Sequence, residues 1–600
     1  MKVIHSIKGF EIAKNIKKKI GFLLTNHLGG YLCFFQKPVS RYQGWFVSLK
    51  NGNKDKETKI FKIIENLEIV NSSPVIELKN NFWNIERKQT DISEKFFLPW
   101  CKNSFVYELS ETALVEVVLD VRESYDNRKW GRDYQVSEEN GLLLVKYTKK
   151  QEDREEYSVY LAIFTDLLDY SKKEDWILRN YELDKERNSL PSDGHVFSAL
   201  RIKARKIVFS VSIDKEEAIK EAKEVFKITE ELKKIAKKRT KNILSLKKNK
   251  YKEIKMAEAC AKDALNKMVV LENKKYCFSF LSKAFAHGMF AGLPWFFQFW
   301  TRDTAISLKS FFEIDKEKAK QILFKQMSLI DEQGHINGTS DGVGWIFKRV
   351  DDFLDKNAFN RREKQVIKEK LKNTIDGLLK YYTEDGFALS LPRQTWMDTL
   401  ERDGKQIEIQ ALRLNILKLA YRFFKDKQYL KLEQQLKEKV QEKFWNGKCL
   451  ADELNDPTIR SNIFLVAYIY PDLLKKREWI ACFENVLPKL WCNWGGVTTI
   501  DKTSPLFVDE HTGENPQSYH SGDSWFWVNN LTAIVLYNVD KEKFKKYIVK
   551  ILEASTKEIL WQGVVGHHTE LSSAKELKSQ GCWSQAWSSA LYLELIDVLF

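Results

Sequence analysis

The chain has 600 residues and 98 Lys and Arg against 83 Asp and Glu, a formal charge of +15. Hydrophobic content of 43% with 30% charged residues excludes general disorder, and 26 Gly and 11 Pro exclude collagen-like or low-complexity classes. Length points to several domains. The basic excess is spread along the chain, apart from runs such as Lys14–Lys19 and Lys237–Lys255 that lack interleaved aromatics, so it reads as solvated helix faces and nucleic-acid binding is not expected. The eight Cys are scattered without metal spacing, which predicts reduced core thiols, no metal and no cofactor. The opening residues carry no signal-peptide pattern and no apolar run is long enough to span a membrane, so a soluble, cytoplasmic chain is expected.

Residues 1–213 alternate like short strands. Ser104–Leu109, Ala113–Val121, Gly141–Tyr147, Tyr157–Phe164, Val196–Ile202 and Lys206–Ile213 predict an antiparallel β-sandwich, with a tight hairpin at Lys203–Ala204. The period changes at Asp214. Residues 214–250 predict a charged amphipathic helix that links two bodies. From 251 to 600 almost every segment is helical, the first two at 252–270 and 274–290, and twelve or thirteen helices suit an (α/α)6 barrel. The fold class is therefore multidomain β plus α: an N-terminal β-sandwich, then a C-terminal (α/α)6 barrel.

Long interhelical loops hold the chemistry-bearing residues. In GLPWFFQFWTRD, Trp300, Arg302 and Asp303 join flat rings to a polar couple, the pairing that suits a sugar. NGTSDGVGWIF presents Asp341 and Trp345 on a glycine-rich turn that is equally a helix cap. In RQTWMDTLERDGKQIEIQ, Asp398 stands beside Trp396 and Met397, an apolar neighbourhood that raises a carboxyl pKa, whereas Glu401, Arg402 and Asp403 read as solvated loop charges. ENPQSYHSGDSWFW gathers Tyr519, His520, Trp525 and Trp527 at a helix start, and no second ligand accompanies His520. The last stretch, residues 561–590, carries His567 and His568 as hydrogen-bonding groups, Glu570 in a long loop, then Gln585 and Trp587. Thirteen of the 18 Trp follow residue 251, and nine of these fall in the five stretches, which predicts a sugar-binding mouth. Two carboxylates on separate loops in a Trp-rich pocket meet the requirement of glycoside hydrolysis.

PWFFQFWTRD, TWMD followed by IEIQALRLN, YHSGDSWFW and GCWSQAWSSALYLELI, together with the early FLLTNHLGGYLCFFQKPVSRYQG, resemble the amylo-α-1,6-glucosidase part of glycogen debranching enzymes in its stand-alone form. The resemblance implies a glucoamylase-like barrel, hydrolysis of the single α-1,6-linked glucose at a trimmed branch point, and inversion. It implies Asp398 or Asp341 as general acid, with Asp398 favoured by its loop, and Glu570 as base. Trp300, Arg302, Asp303, Asp341, Trp345, Trp396, Glu408, His520, Trp525, Gln585 and Trp587 are then the implied substrate-binding set. The implied partner is a branched α-glucan, with no nucleic acid and no membrane. A glucoamylase- or trehalase-like exo-α-glucosidase, or an inactive glucan-binding protein, would use the same scaffold.

Overall fold

Two strands of 20 residues, Ser104–Glu123 and Asp193–Ser212, form the spine of the N-terminal part and pair antiparallel along their length. The computed structural model describes residues 1–7, 9–50, 58–152, 154–244, 251–271 and 286–600. Both faces of the spine are buried over long stretches, as in the unbroken runs Val117–Arg122 and Ile207–Ser212, and its middle around Ser110–Leu114 and Lys203–Lys206 is more open. Its register slips between Glu108 and Ala113, and such an interruption bends a ladder. On one side of the slip Ser104–Glu123 takes Ser93–Phe97 as its next neighbour; on the other it takes Thr58–Ile69. Asp193–Ser212 likewise pairs first with Asp169–Asn180 and then with Arg154–Thr165. The hydrogen-bonded sheet, 15 strands among the described residues, therefore forks into two arms that face each other as a β-sandwich. One contact is parallel, Lys2–Ile7 on Glu77–Asn80; the other pairings are antiparallel. Rings from the two arms meet in the core: Phe22 and Phe34 lie 4.9 and 5.8 Å from Phe96, and Trp45 lies 6.0 Å from Phe105.

The hairpin expected at Lys203–Ala204 does not form. Lys203 pairs with Leu114 and Ala204 with Ala113 inside one continuous strand. Neither residue favours the positive φ of a two-residue hairpin loop, and Ala204 is buried. The helix Lys215–Ile243 begins at Asp214, whose side chain accepts from Glu217 N–H. It lies flat on the sheet: Ala218, Ile219 and Ala222 pack on Leu142, Leu144 and Ala162, and Val225 and Leu232 on Phe97, Val106 and Val208. Residues 274–285 of one expected helix lie outside the described residues, and Ala286–Met289 is a strand.

The chain divides into two compact units. The first is Met1–Asp263, Lys267–His287 and Ile559–His567; the second is Ala264–Asn266, Gly288–Glu558 and His568–Phe600. Among the described residues of the second unit, six helices close a ring in chain order: Thr301–Ile314, Gly342–Asp355, Ile407–Phe424, Asn462–Ile469, Phe526–Asp540 and Ala586–Leu599. Each packs on the next and the last returns to the first. These helices are buried around most of their circumference, as in the unbroken buried run Ile407–Leu417. Between them in sequence come Lys316–Ser328, Arg361–Tyr381, Lys427–Phe444, Lys476–Leu490 and Lys545–Trp561. Arg361–Tyr381 buries only Ile367, Leu371, Thr374, Ile375, Gly377 and Leu378, a single stripe at helical spacing. Lys252–Lys267 precedes these helices in the chain. A barrel of paired helices follows. Among the described residues no helix is long and apolar enough to cross a membrane.

Cys33, Cys260, Cys449, Cys482, Cys492 and Cys582 are free and buried, as expected. Cys101 departs from the expectation of reduced thiols, because it is disulfide-bonded. Disulfide pairing follows proximity in the fold, which scattered spacing conceals.

Candidate active site

Because each return helix reverses the chain, the six ring helices run in one direction and their N-termini share one end of the ring. The five chemistry-bearing stretches all lead into those N-termini. Arg302 and Asp303 sit in the first turn of Thr301–Ile314, Asp341 directly before Gly342–Asp355, and Asp398 in the loop before Ile407–Phe424. Tyr519–Trp525 precedes Phe526–Asp540, and Glu570 and Gln585 precede Ala586–Leu599. Helix N-termini carry partial positive charge and suit an end crowded with carboxylates.

Arg302 is the hub. It is buried, and its Nε donates to Asp341 Oδ1 and Oδ2 at 2.9 and 2.7 Å. Nη2 donates to the Gln394 carbonyl at 3.3 Å, and Nη1 lies 3.6 Å from Asp398 Oδ2. Asp341 is buried and also accepts from Thr339 Oγ1 at 2.8 Å, so both its oxygens are engaged. Asp398 differs, because 47% of its side-chain surface is open. Protein packed around its remaining surface raises its pKa by desolvation, Arg302 opposes the shift, and the charge of Asp341 adds to it. The apolar neighbours Trp396 and Met397 are buried beside it.

Asp303 is pushed up to about 7, first by burial, with Arg302 opposing and the charges of Asp398 and Glu570 adding. Gln585 Nε2 donates to its Oδ1 at 3.1 Å. A carboxyl with its folded pKa raised from 3.8 to about 7 binds its proton more tightly in the native state. Its stabilisation is fully present below about pH 4 and is lost as pH rises through about 7. Asp303→Asn is expected to flatten the decline of melting temperature between about pH 4 and 7. An unchanged slope in thermal melts across that range would contradict this.

Glu570 is buried and held from two sides. Tyr519 Oη donates to Oε1, and Cys582 N–H donates to Oε2 at 2.9 Å. Its loop is stitched to the Tyr519 loop by the pairs Ser524 with Ser572 and Trp525 with Leu571. Glu558 secures the lead-in, accepting from His568 Nδ1 at 2.6 Å, Thr569 Oγ1 at 2.8 Å and Ser579 Oγ at 2.6 Å. His567 approaches the Leu23 carbonyl at 3.3 Å. Both adjacent histidines therefore hydrogen-bond, in different directions.

The tryptophans correct an expectation. Trp345, Trp396, Trp525, Trp527 and Trp587 are buried, and they form the floor of this end of the ring. Trp396 meets Trp525, Trp527 and His520 edge-on at 5.5, 5.1 and 5.4 Å. His520 stacks on Trp525 at 5.1 Å, and Trp527 on Trp587 at 4.8 Å. Burial holds His520 neutral, its pKa well below the usual value, and its Nδ1 bonds Thr399 Oγ1 at 2.7 Å. Trp300, 44% exposed, stands open beside Arg302. Indoles bury large areas, so clustered Trp at helix starts anchor loops as readily as they bind ligands.

Arg402 is a second correction. It is buried and donates to Glu408 Oε1 and Oε2 at 2.5 and 3.1 Å and to Asp452 Oδ2 at 2.9 Å. Glu408 thus lies in an ion cluster beneath the Asp398 loop, with both oxygens taken. Tyr519 had no assigned role at the sequence level; its place between His520 and Glu570 appears only when two distant loops meet. Among the described residues, no group of three or more His, Cys, Asp or Glu is arranged to hold a metal ion.

A family model described as amylo-alpha-1,6-glucosidase matches residues 266–594, more than half of the chain. The chain belongs to the amylo-alpha-1,6-glucosidase family. That family is one of glycoside hydrolases, and the matched region contains Arg302, Asp341, Asp398 and Glu570. A bacterial glucoamylase complexed with acarbose shares the fold over 99% of this chain and 97% of its own, with a TM-score of 0.61 at 11% identity. A structure described as a wild-type glycosidase aligns with 58% of this chain and 98% of its own, with a TM-score of 0.43 at 11% identity. No curated protein matches the chain significantly. The glucoamylase-like fold agrees with the sandwich and ring described above.

Proposed function

We propose that this glycosidase removes the single α-1,6-linked glucose at branch points of an α-glucan, with inversion, using Asp398 as general acid and Glu570 as general base. The observation that carries the acid assignment is the contrast between the two candidates. Asp341 is buried with both oxygens committed, whereas Asp398 is open and has a raised proton affinity. A general acid must reach the leaving oxygen and arrive protonated. In the proposed step Asp398 gives its proton to the glycosidic oxygen as the C1–O bond breaks. Glu570 takes a proton from the water that attacks C1 from the other face, and the products are glucose and the shortened glucan.

Trp300, Arg302 and Asp303 are proposed to hold the terminal glucose: the indole faces its C–H surface and the polar pair its hydroxyls. Gln585 supports Asp303 through its hydrogen bond. Trp345, Trp396, His520, Trp525 and Trp587 shape the floor, and Glu408 keeps the Asp398 loop in place through Arg402. A neutral glucan needs no basic field, so the charge of +15 has no role in this reading.

The whole-length fold similarity to a glucoamylase favours one second reading, an exo-acting α-1,4-glucosidase on the same barrel. Initial rates of glucose release separate the two. A glucosyl-branched dextrin is expected to outpace linear maltodextrin and trehalose by at least about tenfold, which is about 1.4 kcal/mol of discrimination. Faster release from linear maltodextrin would overturn the debranching assignment.

A further inference from the structure

Glu570 is oriented from two loops at once. On one side stands Tyr519, whose Oη donates to Oε1. Tyr519 is itself fixed: its carbonyl accepts from Trp525 Nε1 at 2.8 Å, and its ring packs edge-on against Trp525 at 4.6 Å and His520 at 4.9 Å. On the other side the Cys582 N–H donates to Oε2 at 2.9 Å, while Glu570 N–H donates back to the Cys582 carbonyl at 2.9 Å. Cys582 Sγ is anchored on the Leu293 carbonyl at 2.9 Å. Between Glu570 and Cys582 the chain passes through Gly581 at φ +66, a conformation that favours glycine, and a Cβ there would collide with Glu570 Oε2. One lone pair on each carboxylate oxygen is therefore taken, and the group is gripped at both ends.

We propose that Tyr519 and the Gly581–Cys582 turn form a positioning device that fixes the direction in which Glu570 accepts the proton of the attacking water. The inference rests on the reading of Glu570 as the base. A base on one face of a sugar ring must aim a lone pair at one water, and a free glutamate would spread that aim over its side-chain torsions. Tyr519 does not exchange its own proton in this role. Burial, then the charges of Glu570 and Asp398, push its pKa well above the usual value, so it remains a phenol and a donor across the neutral range. Among the described residues, Asp303 of the helix Thr301–Ile314 interacts with Glu570, while Asp398, from the loop before Ile407–Phe424, and Cys582 face Tyr519.

The test is Tyr519→Phe, which keeps the packed ring and removes Oη. On a glucosyl-branched dextrin, kcat is expected to fall about 10- to 100-fold while KM stays within about twofold. The acidic limb of the kcat/KM profile is expected to move up by about one pH unit, because a donor that favours the charged carboxylate has gone. Gly581→Ala, which pushes the carboxylate from the other side, is expected to lower kcat by a similar factor. Thermal melts establish that each variant is folded. A folded Tyr519→Phe with wild-type kcat and an unmoved acidic limb would overturn the inference. Should that variant fail to fold, a folded Gly581→Ala with wild-type kcat would overturn it equally. Glu570→Gln, measured alongside, separates the two levels: full activity there defeats the base assignment, whereas its inactivity beside a wild-type-like Tyr519→Phe defeats the positioning device alone.

Discussion

Asp398→Asn and Glu570→Gln are each expected to lower glucose release from a branched dextrin by about 10²- to 10⁴-fold while leaving the fold intact. The two amides keep the shape of the carboxylates they replace. Asp398 has an open side chain and a single long contact with Arg302, 3.6 Å, so its melting temperature should scarcely move. At Glu570 a glutamine can turn its carbonyl oxygen to the Cys582 N–H and its amide to Tyr519 Oη, which keeps both contacts made. Loss of rate without loss of stability is therefore the signature of a proton-transfer pair. Asp341→Asn serves as the contrast. It weakens the anchor of Arg302 and should cost stability as well as activity. Full activity in Asp398→Asn would transfer the acid role away from that residue.

Arg302→Met is expected to destabilise the protein by about 3–5 kcal/mol and to abolish turnover. The guanidinium is buried and compensates Asp341 directly, Asp398 at longer range and Asp303 through its field. Removing it leaves buried Asp341 with an unpaired charge, and that penalty exceeds the loss of one hydrogen bond. Arg302→Lys should fail as well, because a lysine cannot reproduce donation from Nε to Asp341, from Nη2 to the Gln394 carbonyl and towards Asp398 at once. Denaturant titration checks the stability and a branched-dextrin assay the activity. An unchanged unfolding midpoint in Arg302→Met would show that the carboxylates do not depend on this cation.

Much of this end of the ring was legible in the sequence because the informative residues sit in interhelical loops. Arg302 and Asp303 follow an aromatic run, Asp398 follows Trp396 and Met397, and Glu570 lies in the long stretch before the last helix. Helical spacing and burial-seeking runs such as Ile407–Leu417 gave the ring helices. Several of the failures involve a partner far away in sequence. Arg402 looked solvated because the fold that buries it brings in Asp452, 50 residues later, beside its nearer acceptors Thr395 and Glu408. Lys203–Ala204 looked like a turn because the strand it continues beside, around Ala113 and Leu114, lies far upstream. The tryptophans looked like a ligand-facing mouth because composition reports which residues cluster and not which way they point. Tyr519 and Glu570 are 51 positions apart, so the bond between them belongs to the tertiary fold alone.

The most direct measurement is proton NMR of the anomer first formed when the protein acts on a dextrin bearing single α-1,6-linked glucosyl branches. β-Glucose is expected at early times, followed by slow mutarotation, because water activated by Glu570 attacks opposite the bond that Asp398 protonates. α-Glucose as the first product, or no glucose at all from that substrate, would contradict it.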